Sequence, residues 1–405
     1  MSNKQEKTLV PRLRFPHFRN SNEWSFHELG DCLDYLQPTD YLVNSTAYSD
    51  KYDIPVVTAG KTFILGYTNE TEGVFNQPLP VIIFDDFTTA TQFVNFPFKA
   101  KSSAMKILLA KENANIKFLY ESMQQIDYKV GAHGRHWISA YSKIKIAAPE
   151  PAEQQKIADC LSSLDELIAA QARKVDALKT HKKGMMQQLF PREGETQPRL
   201  RFPEFRDATG WTVEKLENLA KRGSGHTPSK SVAEYYGGSV KWVSLADSKR
   251  LDAGFISETE TNISEIGIKN SSAVLHPAGT VLISRDAGVG KSAVMALPMA
   301  VSQHFIVWVC DSQKLFNWFL YYLLQLMKPI FERIATGSTI KTIGLPFFKE
   351  LSIAVPSVSE QKCIADCLTS LDTLITNATQ ELETLKTHKK GLMQQLFPST
   401  EAVAA

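Results

Sequence analysis

The sequence of 405 residues repeats itself, and this duplication constrains its fold more than any other feature. The fourteen residues LKTHKKGMMQQLFP that end at Pro191 return, with one change, as LKTHKKGLMQQLFP ending at Pro398. A second segment, PRLRFPHFRN from Pro11, returns as PRLRFPEFRD from Pro198. Each copy therefore runs from PRLRFP through a variable block to a constant block, which indicates two units built on one plan.

The constant block has the pattern of a long helix. Its apolar residues alternate at spacings of three and four, which is typical of an a/d seam over four heptads. With polar residues filling the gaps, the seams are Leu161, Leu164, Ile168, Gln171, Val175, Leu178, Lys182, Met185 and Leu189, and then Leu368, Leu371, Ile375, Ala378, Leu382, Leu385, Lys389, Leu392 and Leu396. Ser357 and Glu360 predict a capping box at the second start. Pro191 and Pro398 end the pattern.

A helix with one apolar seam needs a partner, and the nearest partner is its own copy. Near-identical helices can pair antiparallel about an approximate two-fold axis. At about 1.5 Å per residue such a rod is roughly 55 Å long. That length corresponds to about 16 base pairs of duplex, at about 3.4 Å per step along one strand. The pair would thus hold the variable blocks at opposite ends, at a fixed distance.

We therefore predict an α+β chain of two globular domains with short strands and flanking helices. A long antiparallel two-helix coiled coil separates the domains and gives a pseudo-two-fold internal repeat. The predicted boundaries are 1–150 for the first domain, 151–191 for the first helix, 192–356 for a linker and the second domain, 357–398 for the second helix, and 399–405 for a tail.

Composition narrows the class of protein. Hydrophobic residues make up 43% and charged residues 22%, which are globular values. Five cysteines without disulfide-like spacing, and a polar start without a signal peptide, lead us to expect a cytoplasmic protein. The apolar run 315–327 is too short to span a bilayer, which needs about 20 residues, and predicts a buried helix.

Motifs of catalysis are not evident in the sequence. GVGKS at 288–292 resembles part of a phosphate-binding loop, but the full motif requires glycine where Arg285 stands. This stretch instead predicts a strand and hairpin turn whose Arg285 and Lys291 could touch phosphate. No methyl-donor loop, acidic metal cluster or paired-histidine motif is visible, so we expect no cofactor and no metal bound by this chain.

The repeated basic ends of the two helices call for a separate explanation. A seam lysine weakens helix self-pairing, and a mid-helix glycine costs about 1 kcal/mol relative to alanine. Gly184 and Gly391 either stop the helix or admit the close approach of another protein. Two equal copies favour a partner that binds twice, through His181, Lys182, Lys183, Gln187, Gln188 and Phe190 and through His388, Lys389, Lys390, Gln394, Gln395 and Phe397.

This order of segments resembles the specificity (S) subunit of type I restriction–modification systems. The resemblance rests on two variable blocks, each followed by an EQ-type helix with a KKGxMQQLF end, and it covers nearly the whole chain. The second block adds GHTPSKSVAEYYGGSVKWVSLAD from Gly225, GTVLISRDAGVGKSAV from Gly279 and GSTIKTI from Gly337. The first block matches at its end, GRHWISAYSKIKIAAPEPAEQQKIA from Gly134.

The resemblance implies a non-catalytic subunit whose variable blocks are target recognition domains, each reading half of a bipartite double-stranded DNA site. It implies that the helices set the spacer and that two methyltransferase (M) subunits dock on the chain to form an enzyme that uses S-adenosylmethionine. Restriction (R) subunits would join through the complex to form an ATP-dependent nuclease.

DNA reading requires polar and basic groups on loops between strands. In the first block the candidates are Lys61, Tyr67, Asn69, Arg135, His136, Ser139 and Lys143. In the second block they are Thr227, Ser229, Lys230, Lys241, Ser284, Arg285, Lys291, Ser338 and Lys341. Two alternatives remain open here: the specificity subunit of a related type II methylation system, and a coiled-coil adaptor that binds proteins and not DNA.

Overall fold

A computed structural model describes residues 9–60, 62–130, 134–337 and 341–398, and all structural statements concern these residues. The chain folds as two compact units. Unit 1 contains the residues up to Ala172 together with those from Gln380 onward, and unit 2 is Arg173–Thr379. The division falls inside both long helices, so it differs from the boundaries expected from the sequence.

Unit 1 is built from short strands, as the sequence predicts. A four-stranded antiparallel sheet has the order β2-β8-β5-β6, a three-stranded sheet has the order β4-β3-β7, and β1 pairs with β9. The elements in chain order are β1 (Ser25–Glu28), α1 (Leu29–Cys32), β2 (Leu33–Leu36), β3 (Ile54–Val57), β4 (Ile64–Thr68), β5 (Val81–Asp85), β6 (Thr91–Val94), β7 (Lys99–Ala100), β8 (Met105–Ala110), α2 (Ile116–Met123), β9 (Lys145–Ala148) and α3 (Pro151–Leu189).

Unit 2 repeats this plan with additions. Its sheets have the orders β11-β18-β15-β16-β13, β14-β12-β17 and β10-β19. The elements are β10 (Thr212–Lys215), α4 (Leu216–Leu219), β11 (Ala220–Ser224), β12 (Tyr236–Val243), β13 (Phe255–Ile256), β14 (Asn262–Ile263), α5 (Glu265–Lys269), β15 (Val281–Ser284), β16 (Ser292–Met295), β17 (Ala300–Val301), β18 (Phe305–Cys310), α6 (Asn317–Leu326), α7 (Lys328–Ile334), α8 (Leu345–Glu350), β19 (Ser352–Val355) and α9 (Val358–Leu396). The apolar run expected to be a buried helix is α6, and GVGKS lies in the predicted β15–β16 hairpin.

The two long helices pair antiparallel within each unit. In unit 1, Gln171 donates to Glu381 at 2.8 Å and Asp165 accepts from Lys389 at 2.7 Å, so the partner's numbers rise as those of α3 fall. All nine predicted seam positions of each helix are buried or half-buried, which confirms the heptad assignment. None of the helices in the described residues is long and apolar enough to cross a membrane.

The repeated PRLRFP segments tie down the start of each long helix. Arg14 donates to both carboxylate oxygens of Glu153, at 2.8 and 2.6 Å, and this side-chain pair is almost fully buried. In unit 2 the equivalent Arg201 binds Glu360 at the same two distances. The predicted capping box is therefore half formed: Ser357 accepts from the Glu360 amide at 3.3 Å, but the Glu360 carboxylate binds Arg201 instead.

The glutamine after each of these glutamates links the long helix to the preceding domain. Gln154 accepts from the amide of Asn115, the N-cap of α2, at 3.0 Å, and donates to a backbone carbonyl of the β9–α3 turn at 2.8 Å. In unit 2, Gln361 accepts from the amide of Phe316, which precedes α6, at 2.8 Å. Because these buried glutamines satisfy backbone groups that have no partner in a helix or sheet, both copies need the EQ pair.

Candidate nucleic-acid interface

Four loops of unit 2 meet at one end of its large sheet. Strand β15 ends at Ser284 opposite Phe305, where β18 begins, and β11 ends at Ser224 opposite Ile306. The loops that follow β11 and β15, and the turn that precedes β18, therefore share one edge. The fourth loop, between α7 and α8, joins through one backbone hydrogen bond, from the Ile343 amide to the Arg285 carbonyl at 3.0 Å.

A chain of polar side chains connects these loops. The hydroxyl of Thr227 donates to the amide oxygen of Gln303, and the Gln303 Nε2 lies 3.5 Å from His304 Nε2. His304 Nδ1 lies 2.7 Å from an Asp286 carboxylate oxygen, which fixes the plane of the ring. Gln303 is exposed, whereas Thr227, His304 and Asp286 are half-buried. These contacts hold the Gln303 amide in a position where solvent can reach it.

Arg285 holds the fourth loop against this network. Its Nε donates to the carbonyl of Ile343 at 3.1 Å, and Asp286 forms a backbone bridge with Thr342. The guanidinium is thus partly used within the fold, and it lies beside the Asp286 carboxylate at 3.8 Å. Arginine and glutamine are the side chains that match guanine and adenine edges in a major groove.

Several residues predicted from the sequence lie at this edge, and others at the edge were not predicted. The predicted Thr227, Arg285, Lys291 and Lys341 lie on the four loops. Gln303, His304, Asp286 and Lys328 were not predicted. The polar triplet SQH between the apolar runs of β17 and β18 was the available signal, since a polar stretch between two apolar runs indicates a loop.

The other predicted residues of unit 2 differ in burial, ion pairing and place. Ser284 is 2% exposed and its hydroxyl donates to the backbone of Asp286, so burial argues against a contact with DNA. Lys241 is ion-paired with Glu258. Ser229 and Lys230 are exposed on the loop after β11, and Ser338 lies outside the described residues.

In unit 1 the predicted residues fall into two groups. Arg135, Ser139 and Lys143 are exposed on the segment before β9, which is attached to the end of β5 because Asp86 accepts from the Trp137 amide at 2.8 Å. His136 on the same segment is buried against Tyr128, so it is not available to a duplex. A second set lies on or beside β4: Tyr67 is half-buried and Asn69 is exposed, while Lys61 is outside the described residues.

The repeated helix ends separate into exposed and buried residues. The exposed set, which we call the helix-end surface, is His181, Lys183, Gln187 and Gln188 on α3 and His388, Lys390, Gln394 and Gln395 on α9. Phe190 and Phe397 are buried in the cores of their own units, against Trp211 and Trp24, and burial argues against a role in docking.

Both seam lysines form ion pairs inside the fold. Lys182 lies 2.5 Å from Asp372 and Lys389 lies 2.7 Å from Asp165, and these aspartates occupy equivalent positions of the repeat. Burial lowers the pKa of Lys389, but hydrogen bonds to Asp165 and Glu121 raise it by more. The pKa of Lys389 therefore lies above its ordinary value. The seam lysines therefore stabilise the pairing of the two helices, and we do not count them in the helix-end surface.

The two glycines of the helix ends lie inside continuous helices. A stop at Gly184 or Gly391, one of the two alternatives above, is wrong because α3 and α9 continue to Leu189 and Leu396. A Cβ added at either position would meet nothing within 4 Å. The fold itself therefore does not need glycine for space, and the expected approach of another protein stays a prediction.

Comparisons with known proteins agree with this architecture. The family described as "Type I restriction modification DNA specificity domain" matches residues 21–180 and 208–387. The specificity subunit of the type I restriction enzymes EcoR124I/EcoR124II of Escherichia coli is 34% identical over 374 residues, 87% of this chain and 88% of that protein. The MjaIX specificity subunit of Methanocaldococcus jannaschii is 32% identical over 189 residues, 46% of this chain and 44% of that protein.

A solved structure is similar in fold. The crystal structure of a type I restriction–modification S subunit from M. genitalium has a TM-score of 0.64 at 16% identity, and the match covers 96% of this chain and 99% of that one. Together these matches favour the type I resemblance over both alternatives, the type II subunit and the protein-binding adaptor.

Proposed function

Because the chain belongs to the type I restriction–modification DNA specificity family, we propose that it is the non-catalytic subunit that selects the DNA sequence, with each unit reading one half of a bipartite site. One observation carries this proposal. The residues that the two copies share include the arginine–glutamate pairs and the glutamines that hold each long helix to its unit, whereas the loops at the sheet edge differ between the copies. A scaffold kept constant beneath variable loops suits two readers of unlike sequences.

The chemistry of the unit 2 edge fits recognition in the major groove. An exposed glutamine amide can donate and accept at one adenine, and lysines beside it can bind phosphate oxygens. Gln303 is braced by Thr227 and by the His304–Asp286 pair, so it loses little conformational freedom when it binds. In unit 1 the exposed Arg135 lies on the segment before β9, which corresponds to the segment before β19 in unit 2 and not to the turn that holds Gln303.

The spacer between the half-sites is set, in this proposal, by the paired helices. Each helix has 39 residues, which gives about 58 Å at about 1.5 Å per residue. Ion pairs at Lys182 and Lys389 fix the register of one helix on the other. Register matters because it decides which residues of each helix lie opposite one another, and hence the usable length of the rod.

Two M subunits dock, in this proposal, on the two copies of the helix-end surface. The surface repeats histidine, lysine and glutamine at matching exposed positions, and each copy has an open glycine within it. S-adenosylmethionine and ATP would be bound by the M and R subunits, and this chain would bind no cofactor. All five cysteines are free, which is consistent with work in the cytoplasm.

Binding selection tests DNA reading. The purified complex of this chain with its M subunit is incubated with a library of random duplexes, and the bound fraction is sequenced. We expect two separate short motifs at a constant distance. Enrichment of one contiguous motif, or of no motif, would contradict the proposal.

Native mass spectrometry tests docking. Alanine at His181, Lys183, Gln187 and Gln188 should leave a complex with one M subunit, because the copy on α9 is intact. Alanine at Lys179 and Lys362, exposed lysines of the same helices outside this surface, is the matched control and should leave two M subunits bound. Two M subunits on both variants would contradict the docking site.

A further inference from the structure

A basic cavity opens beside the hairpin loop that joins β15 to β16 in unit 2. Its volume is about 460 Å³. Lys291, Lys328, Lys341 and Glu332 line it, and the backbone of the loop at Ala287–Val289 forms one wall. We call it the lysine cavity. The loop residues that line it directly follow Arg285 and Asp286 in the chain. The cavity therefore adjoins the edge to which base reading is assigned above.

The cations of the lysine cavity exceed the carboxylates that oppose them. Lys291 is held by Asp252 at 2.8 Å and by the carbonyl of Ser248. Lys328 lies 3.9 Å from Glu332, at the outer limit of an ion pair, and both side chains are more than a third exposed. Lys341 is exposed and has no ion-pair partner among the described residues. Two lysines are therefore available to an anion.

One residue of the loop wall has a backbone conformation that is rare for its type. Ala287 has φ 31°, Gly288 has φ 101° and Gly290 has φ 82°, all in the left-handed region. For alanine this conformation is unfavourable, and such residues occur at ligand clamps more often than elsewhere. A Cβ at Gly290 would approach Lys328 Cγ to 2.9 Å, so glycine lets the loop pack closely against α7.

We propose that the lysine cavity binds one phosphate of the DNA backbone at the half-site read by unit 2, an inference that rests on the function proposed above. Lysine is a compact point charge that suits phosphate oxygens, and phosphate contacts set the position of the reader on the duplex. The cavity therefore positions Gln303 and Arg285 over the base pairs. It contributes affinity that is the same for every sequence.

The test uses the complex with the M subunit and two pairs of lysines. Lys328→Gln/Lys341→Gln removes both available charges of the cavity. Lys269→Gln/Lys349→Gln removes two exposed lysines of unit 2 outside it. Dissociation constants are measured for the target duplex and for a scrambled duplex over a range of salt concentrations. Lys341→Gln alone, a change at an exposed side chain, guards against a folding defect of the double variant.

We expect the cavity variant to bind both duplexes about tenfold more weakly, with the ratio between them unchanged. The slope of log affinity against log salt should become shallower by about 0.9, the value for one phosphate contact. The control pair should match the wild type. Lys341→Gln should show a smaller change in the same direction.

Neutral methylphosphonate at single positions of the target locates the phosphate. Wild type should lose affinity at one position of the half-site of unit 2, and the cavity variant should lose nothing more there. Equal binding and salt slope in cavity and control variants would overturn the inference. So would loss of discrimination at one base pair with an unchanged salt slope. A wild-type complex that does not discriminate target from scrambled duplex would overturn the proposed function itself.

Discussion

Replacing Lys389 by methionine removes one charge from a buried cluster in unit 1 and keeps the length of the side chain. Lys389 Nζ lies 2.7 Å from Asp165 and 2.9 Å from Glu121. The second cation of the cluster, Lys117, lies 2.6 and 2.7 Å from the same two carboxylates. In the variant one lysine therefore has to neutralise two carboxylates, and the Glu121 side chain is only 1% exposed.

The size of the effect follows from burial. Removing one partner of a buried ion pair costs about 3–5 kcal/mol. Because Lys117 remains and Asp165 is 36% exposed, we expect the lower end, about 3 kcal/mol. Lys386→Met, on the same helix, breaks an exposed pair with Glu383 and should cost at most about 1 kcal/mol.

Lys182→Met provides a second comparison, in unit 2. Its partner Asp372 is 38% exposed and keeps a hydrogen bond from the Tyr322 hydroxyl at 2.7 Å. We expect a cost of about 1 kcal/mol, well below that of Lys389→Met.

Urea unfolding of the full chain, followed by circular dichroism, gives the free energies of unfolding. The expected order of cost is Lys389→Met, then Lys182→Met, then Lys386→Met. If Lys389→Met lowers the free energy of unfolding by no more than Lys386→Met does, the reasoning is refuted. Loss of an M subunit by a stably folded Lys389→Met variant would instead assign this lysine to docking.

Three further predictions concern specificity, spacing and pH. Gln303→Ala should relax one base pair of the half-site of unit 2 by roughly 10- to 100-fold and leave the other half-site unchanged; loss of affinity that is equal for all sequences would contradict base reading. One heptad added to both α3 and α9 should lengthen the spacer in the methylated motif by about three base pairs, at about 1.5 Å per residue and 3.4 Å per base pair; an unchanged spacer would contradict the role of the helices, and a heptad in α3 alone should abolish activity because the ion pairs lose register. Burial raises the pKa of Asp165, but hydrogen bonds from Lys117 and Lys389 lower it to below its ordinary value, so its contribution to stability is complete above about pH 4 and is lost as the pH falls further; Asp165→Asn should flatten this acid limb in urea titrations, and an unchanged limb would contradict it.

The duplicated segments made the scaffold predictable from the sequence. Seam positions, the α6 helix and the β15–β16 hairpin follow from local periodicity and turn residues, which act over a few residues. The PRLRFP repeat was visible, but its purpose depends on the pairing of Arg14 with Glu153, 139 residues away. No local pattern indicates such a contact.

The candidate interface was only partly predictable for the same reason. Loops that lie far apart in sequence meet because strands β11, β15 and β18 pair. The positions of Gln303 and Lys328 near the other loops therefore follow from the topology and could not be predicted from local sequence. The lysines of the helix ends show that repetition in the sequence does not by itself identify an exposed residue. Lys182 and Lys389 recur in both copies, as the exposed His181 and Lys183 do. Their position on the seam nevertheless places them against aspartates of the paired helix.

Mapping methylated adenines tests the central claim most directly. Genomic DNA from cells that express this chain with its M subunit is read by single-molecule sequencing, with cells that lack the chain as the control. We predict a new methylated motif of two short defined halves separated by a fixed number of unspecified base pairs. A continuous methylated motif, a variable gap, or methylation that does not depend on this chain would contradict it.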